Sequence, residues 1–217
     1  MYGFAQAFTR ITAWPVQAVC LRTKYHYEDK REQGRRIKGG AIIISNHTSV
    51  YDFASMLFTF PFRTIRCLMA EVLFQKKGLS GFLRWLGGVK VDRNSHDFAF
   101  LETCNEILAK KGVVGIYPEG RLPKEGEERP LPFGPSAAYL ALSSGAPVVP
   151  VYTNGSYIKK KRAHVIIGKP ISVSELVDDS LSEKENIEKI SEYLRQRIIA
   201  LGNELERQCN KSKKTKE

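Results

Sequence analysis

The sequence predicts an α/β fold: one domain with a mostly parallel central sheet flanked by helices. Three observations carry that reading. Short apolar runs rich in β-branched residues recur at 41–44, 64–70, 113–117, 147–152 and 163–167, each of strand length. Segments of helical periodicity separate them with short connections, the alternation that builds parallel sheets. Polar clusters follow three of the strands, and sites in such sheets lie outside the carboxyl ends of the strands.

In chain order, residues 1–21 (MYGFAQAFTRITAWPVQAVCL) are apolar apart from Arg10 and are interrupted by Pro15. A bilayer span needs ~20 continuous apolar residues, and a secretory signal places its charge ahead of the apolar run. The aromatics Tyr2, Phe4, Phe8 and Trp14 recur at spacings compatible with one helix face. Residues 1–38 therefore read as an amphipathic membrane-interface helix followed by a basic linker facing anionic headgroups. A helix packed on the domain surface is the alternative.

The domain proper is expected over 39–208. Its opening strand at 41–44 is broken by Ser45 and Asn46, and a helix over 50–60 stops at Pro61. A second strand covers 64–70, a short amphipathic helix 78–86 ends at Gly87-Gly88, and 89–91 is a further short strand. Ser95 caps a helix running to about residue 111, ended by Gly112. A strand at 113–117, a helix at 136–144, strands at 147–152 and 163–167, and a long amphipathic helix over 183–207 follow. Residues 209–217 are expected to form a basic disordered tail.

With 34 Lys and Arg against 23 Asp and Glu, the chain carries a net charge of +11, which suits an anionic partner such as nucleic acid, anionic lipid or a phosphorylated small molecule. No nucleic-acid module signature is present, so nucleic acid is not expected. Cys20, Cys67, Cys104 and Cys209 are widely scattered. They form no Cys/His ligand pattern, and read as reduced thiols in a cytosolic compartment with no metal site. His26, His96 and His164 read as structural or solvated side chains.

The richest stretch is AIIISNHTSVYDF over 41–53. His47 and Asp52 flank the point where a strand turns into a helix. Five residues of regular helix would leave them roughly 140° apart. Direct contact thus requires His47 on the entry turn and Asp52 one turn in, with Asn46 or Ser49 as cap. The pair reads as a dyad in which Asp52 polarises the imidazole and His47 removes a proton from a hydroxyl. The alternative is a capping histidine beside a surface aspartate. Arg93 of VDR and Glu119, Gly120 and Arg121 of YPEGR follow two other strands. An arginine fork suits phosphate oxygens, and glycine lets a ligand approach the backbone. Glu119 either orients the substrate hydroxyl or supports the arginines. No G-x-S-x-G elbow is present, so the chemistry needing only a base is transfer to a hydroxyl that is itself the nucleophile.

In their order and at these distances, NHTSVYD, VDR, YPEGR and VVPVY resemble the four blocks of the glycerophospholipid acyltransferase family. The resemblance covers about residues 42–152 and is most similar to 1-acylglycerol-3-phosphate acyltransferases. It implies transfer of a fatty acyl group from an acyl thioester (acyl-CoA or acyl carrier protein) to the hydroxyl of a lysophospholipid, here 1-acylglycerol-3-phosphate, giving phosphatidic acid. No cofactor beyond the donor is implied. It implies His47 as general base, Asp52 as its partner, Arg93 and Arg121 on the acceptor phosphate, and Glu119 and Gly120 shaping that pocket. Pro150 falls in a fourth block with a mostly structural part. Family members associate with membranes, so the implied location is the cytoplasmic face of the cell membrane, bound peripherally. Two places depart from the family pattern. Arg121 follows Gly120 directly, where threonine then arginine is usual, and Gly134-Pro135-Ser136 follows Pro132-Phe133, where lysine and glycine are common. Another lysophospholipid acceptor, or a thioesterase-like hydrolase using the same dyad on water, remains the alternative.

Overall fold

The computed structural model describes residues 1–91, 99–157 and 162–214. Seven strands are described: β1 (Lys24–Tyr27), β2 (Ala41–Ser45), β3 (Ile65–Ala70), β4 (Val89–Val91), β5 (Val113–Ile116), β6 (Val148–Thr153) and β7 (His164–Ile167). They form one sheet in the order β1-β7-β6-β2-β5-β3-β4. The five strands from β6 to β4 run parallel. β7 is antiparallel to β6, and β1 follows β7 in parallel. The mostly parallel sheet is as expected, with a reversed pair at one edge.

β2 lies at the centre and is buried along its whole length. Its side chains alternate between two cores, as strand geometry requires. Ile42 and Ile44 join Leu101, Leu140, Leu194 and Ile198 from helices α6 (Ala99–Ala109), α7 (Ser136–Ser144) and α8 (Glu183–Lys214). Ala41 and Ile43 join Met56, Leu57 and Leu83 from α3 (Asp52–Thr59) and α5 (Leu79–Trp85) on the other face. Gly115 in β5 sets how closely α3 approaches: a Cβ there would lie 2.6 Å from Cys67 Sγ and 2.7 Å from Met56 Sδ. A side chain at 115 would lift α3 off the sheet.

The carboxyl end of α3 is held by two arginines far away in sequence. Arg10 donates to the carbonyls of Leu57, Phe60 and Arg63, and Arg35 to those of Phe58 and Thr59. The carbonyls of Leu57 to Phe60 belong to the last turn and cap of α3, where cations are favoured, and Arg63 lies just beyond. Arg10 belongs to α1 (Tyr2–Thr12), which is tied to the sheet a second time by Gln6. That fully buried side chain donates to the carbonyls of Ile65 and Leu86 and accepts from Ile65 N.

Three expectations need correction. The basic linker contains β1, whose KYHY sequence lacks a continuous apolar run and is recruited by pairing with β7. The long helix continues through the start of the expected tail to Lys214, because its buried seam (Ile190, Leu194, Ile198, Leu201, Leu205) carries on one turn later at Cys209. Tyr2 does not share the outer face of α1, since its ring lies under the Arg66 guanidinium at 4.1 Å. The expected cap Ser95, and His96, Asp92 and Arg93, lie outside the described residues.

Candidate active site

The parallel arrangement brings the carboxyl ends of β2, β5, β3 and β4 to one edge of the sheet, where the chain leaves each strand for its next loop. Beyond β2, Asn46 does not cap the following helix. Its amide crosses to β6, donating to Thr153 O at 2.9 Å and accepting from Thr153 N at 2.8 Å. This pins the first residue after the strand and directs residues 47–51 across the sheet edge.

His47 Nδ1 donates to Asp52 Oδ2 at 2.8 Å. Asp52 is the first residue of α3, so the contact is made across the entry turn, the geometry that the five-residue spacing demands. The same carboxylate accepts from Thr48 N at 2.6 Å, Ser49 N at 2.9 Å and Thr48 Oγ1 at 3.0 Å. Four donors converge on a side chain that is 1% exposed, while the His47 side chain is 21% exposed. These donors, at the amino end of the helix, fix the orientation of the carboxylate. Because Nδ1 carries the proton donated to Asp52, the lone pair of the neutral ring sits on Nε2.

β5 supplies the other side of the site. The Tyr117 ring stacks on His47 with centroids 4.6 Å apart. Its hydroxyl is buried without a hydrogen-bond partner among the described residues, and burial pushes its pKa well above the ordinary value. Glu119 is also buried, accepting from His47 N at 2.7 Å and from Leu131 N at 2.9 Å. Burial raises its pKa, and the two backbone donors act in the opposite sense. Glu119 therefore ties the His47 loop to the loop after β5. Gly120 makes the turn that aims it, with φ +70° and its N–H donated to Tyr117 O at 3.0 Å; a side chain there would be strained.

Arg121 is committed to an exposed bidentate pair with Glu127, at 2.7 and 2.8 Å. That pairing holds the Glu127 carboxyl at about 2. The structure thus brings together His47, Asp52, Glu119 and Gly120, and leaves Arg121 at the rim. Tyr117 was visible in the sequence only as a strand residue; its stacking on His47 depends on the β2–β5 pairing. A cavity of about 390 Å³ opens beside Tyr117, Glu119 and Gly120. Leu68, Met69, Val91, Phe100 and Phe133 give it a largely apolar wall. Val91 lies two residues before Arg93 in sequence. The volume falls within the range of about 300–1,000 Å³ common for small-molecule sites.

An imidazole with its Nε2 side left open beside a largely apolar cavity suits proton removal from a bound hydroxyl. The Acyltransferase family model matches residues 22–154. The chain is 29% identical over 173 residues to a 1-acyl-sn-glycerol-3-phosphate acyltransferase of Bacillus subtilis, covering 77% of this chain and 83% of that one. It is 33% identical over 114 residues to the human 1-acyl-sn-glycerol-3-phosphate acyltransferase beta, covering 51% of this chain and 40% of that one. The crystal structure of the 1-acyl-sn-glycerophosphate acyltransferase of Thermotoga maritima matches with a TM-score of 0.61 at 20% identity, over 88% of this chain and 76% of that one. That last match is a likeness of fold. With a family model spanning more than half its length and enclosing both His47 and Glu119, this chain belongs to the acyltransferase family.

Proposed function

We propose that this protein transfers a fatty acyl group from an acyl thioester to the free hydroxyl of 1-acylglycerol-3-phosphate, giving phosphatidic acid, while bound peripherally to a membrane. The observation that carries the reading is the His47–Asp52 pair at the sheet edge, with the Nε2 side of the imidazole left for substrate. The names of the relatives support the acceptor; either acyl-CoA or acyl carrier protein satisfies the chemistry as donor. His47 Nε2 takes the hydroxyl proton as the oxygen attacks the thioester carbonyl. The tetrahedral intermediate collapses, the carbon–sulfur bond breaks, and the imidazolium returns its proton to the departing thiolate. Asp52 offsets the positive charge on the ring between these steps. Glu119 acts as a positioning residue through His47 N, and the apolar cavity takes acyl chain.

The acceptor phosphate is assigned to Arg93 and Arg121. Arg121 presents a planar fork already matched to a carboxylate, and a phosphate can replace Glu127 at small cost because exposed ion pairs contribute little. The test is incubation with labelled acyl thioester, with and without 1-acylglycerol-3-phosphate. Lipid product that depends on acceptor supports the reading; free fatty acid released equally without acceptor points to a hydrolase. In the same assay Arg121→Ala should raise the acceptor KM at least ~tenfold and leave the donor KM unchanged, with partial rescue by Arg121→Lys. Equal effects on both substrates would remove Arg121 from the acceptor site.

Peripheral binding rests on α1 and the turns after it. Phe4 (73% exposed), Ile11 (75%) and Trp14 (62%) form an outward apolar face, with Phe8 and Val19 beside it. Among the described residues no helix is long and apolar enough to cross a membrane. Apolar burial and attraction of the basic chain to anionic lipid then act together. Deleting residues 1–21 is a poor test, because it also removes Gln6 and Arg10 from the sheet and α3. The combined change Phe4→Ser, Ile11→Ser and Trp14→Ser leaves those ties intact. It should sharply reduce flotation with anionic vesicles and lower activity on membrane-borne acceptor, while activity on a soluble short-chain acceptor survives. Unchanged flotation would place the membrane contact elsewhere.

A further inference from the structure

Three residues outside the active site, each unremarkable in the sequence, meet where β1, β7 and α8 join. In the β1–β7 register Lys24 pairs with His164 and His26 with Ile166, so His26 and His164 share one face of the sheet, two residues out of step. Ile166 on that face packs into the core that contains Leu201 and Leu205, and Cys209 follows Leu205 by one turn of α8. The ligand-bearing atoms of His26, His164 and Cys209 all lie within 4.8 Å of one another. His26 Nε2 is 2.9 Å from His164 Nδ1, and Cys209 Sγ is 3.2 Å from the same His164 Nδ1.

The hydrogen-bond network fixes the ring of His26. Gln208 spends its amide N–H groups on Tyr27 O and Glu204 Oε1. Its carbonyl oxygen therefore faces His26 Nδ1, 3.1 Å away, and accepts a hydrogen bond from it. The neutral ring then directs a bare Nε2 lone pair at His164 and Cys209. An imidazole whose second nitrogen is anchored in this way is the usual arrangement of a metal-binding histidine.

We propose that His26, His164 and Cys209 form a zinc site that clamps the carboxyl end of α8 onto the β1–β7 edge of the sheet. Two imidazoles and a thiolate suit Zn²⁺, with one position left for water. Tetrahedral zinc with bonds of about 2.05 Å to nitrogen and about 2.3 Å to sulfur sets nitrogen–nitrogen separations near 3.3 Å and nitrogen–sulfur near 3.6 Å. The observed 2.9 and 3.2 Å open to these values by about 0.4 Å each. Lys24 and Arg162 stand close enough to oppose a bare cation, and the thiolate of Cys209 offsets one of the two zinc charges.

The test uses the whole, metal-stripped protein titrated with Co²⁺ as a spectroscopic stand-in and then with Zn²⁺. A thiolate-to-cobalt absorption band should saturate at one equivalent and disappear when Zn²⁺ displaces the cobalt. Cys209→Ser should abolish the band and Cys20→Ser should keep it. His26→Asn and His164→Asn should each weaken binding at least ~tenfold. Should these variants fold poorly, the wild-type protein gives a second readout: Zn²⁺ should slow alkylation of Cys209 at least ~tenfold and leave Cys20 unaffected. No saturable band, a band that persists in Cys209→Ser, or equal alkylation of Cys209 with and without Zn²⁺ would overturn the proposal, leaving a hydrogen-bonded trio that holds α8 by itself.

Discussion

His47→Ala should reduce acyl transfer by about 10²–10⁴-fold with little change in thermal stability. Among the described residues, no other imidazole stands at this sheet edge to take over the proton, since His26 and His164 lie together at the β1–β7 join. The His47 backbone N–H, which holds Glu119, is untouched by the substitution. The side chain is partly exposed and stacks on the face of Tyr117, and Asp52 keeps three of its four donors without it, so the stability cost is small. The measurement is kcat/KM on thioester and acceptor beside the melting temperature. A folded His47→Ala protein that keeps most of its rate would sink base catalysis by this residue.

Asp52→Asn should cost on the order of 10³–10⁴-fold in kcat, also without unfolding the protein. The asparagine carbonyl can take the place of Oδ2, keeping the donors from His47, Thr48 N and Ser49 N, while its amide turns toward the Thr48 hydroxyl. What disappears is the negative charge opposite the imidazolium. If the amide turns the other way, it donates to Nδ1 and moves the ring proton to Nε2, which removes the base. Asp52→Ala separates the two effects. It leaves the half-buried N–H groups of Thr48 and Ser49 without their carboxylate partner, so stability should fall together with rate. An Asp52→Asn protein with near-normal kcat would show that Asp52 matters only as a helix-entry scaffold.

Much of this architecture was legible because its signals are local. The runs that became β2, β3, β5, β6 and β7 are continuous and apolar, and each emerged within about a residue of its expected bounds. The contact between His47 and Asp52 was legible because they lie five positions apart and one turn brings them together. What escaped the sequence depends on residues far apart along the chain. β1 exists only by pairing with β7, some 140 positions away. Gly115 and Met56 meet only because α3 folds back on β5, and the two arginines on the carboxyl end of α3 reach it from positions 10 and 35. Arg121 was expected at the acceptor phosphate, yet its resting partner is Glu127, six residues on, a short-range choice with no motif to announce it. The histidine and cysteine cluster was hidden for the same reason, since its members stand at 26, 164 and 209 and no ligand spacing links them.

The two ends of α3 have different employers. Its first residue holds the imidazole in place, and the carbonyls of Leu57 in its last turn and of its cap Phe60 are gripped by an arginine from the helix whose outer face is apolar. Eight residues of helix form a strut about 12 Å long between those points. Under the proposal that α1 seats in a lipid surface, that strut would act as a ruler, fixing the height and tilt at which the His47 imidazole stands above the lipid. The membrane would then be a reference plane for the chemistry as well as a place of attachment.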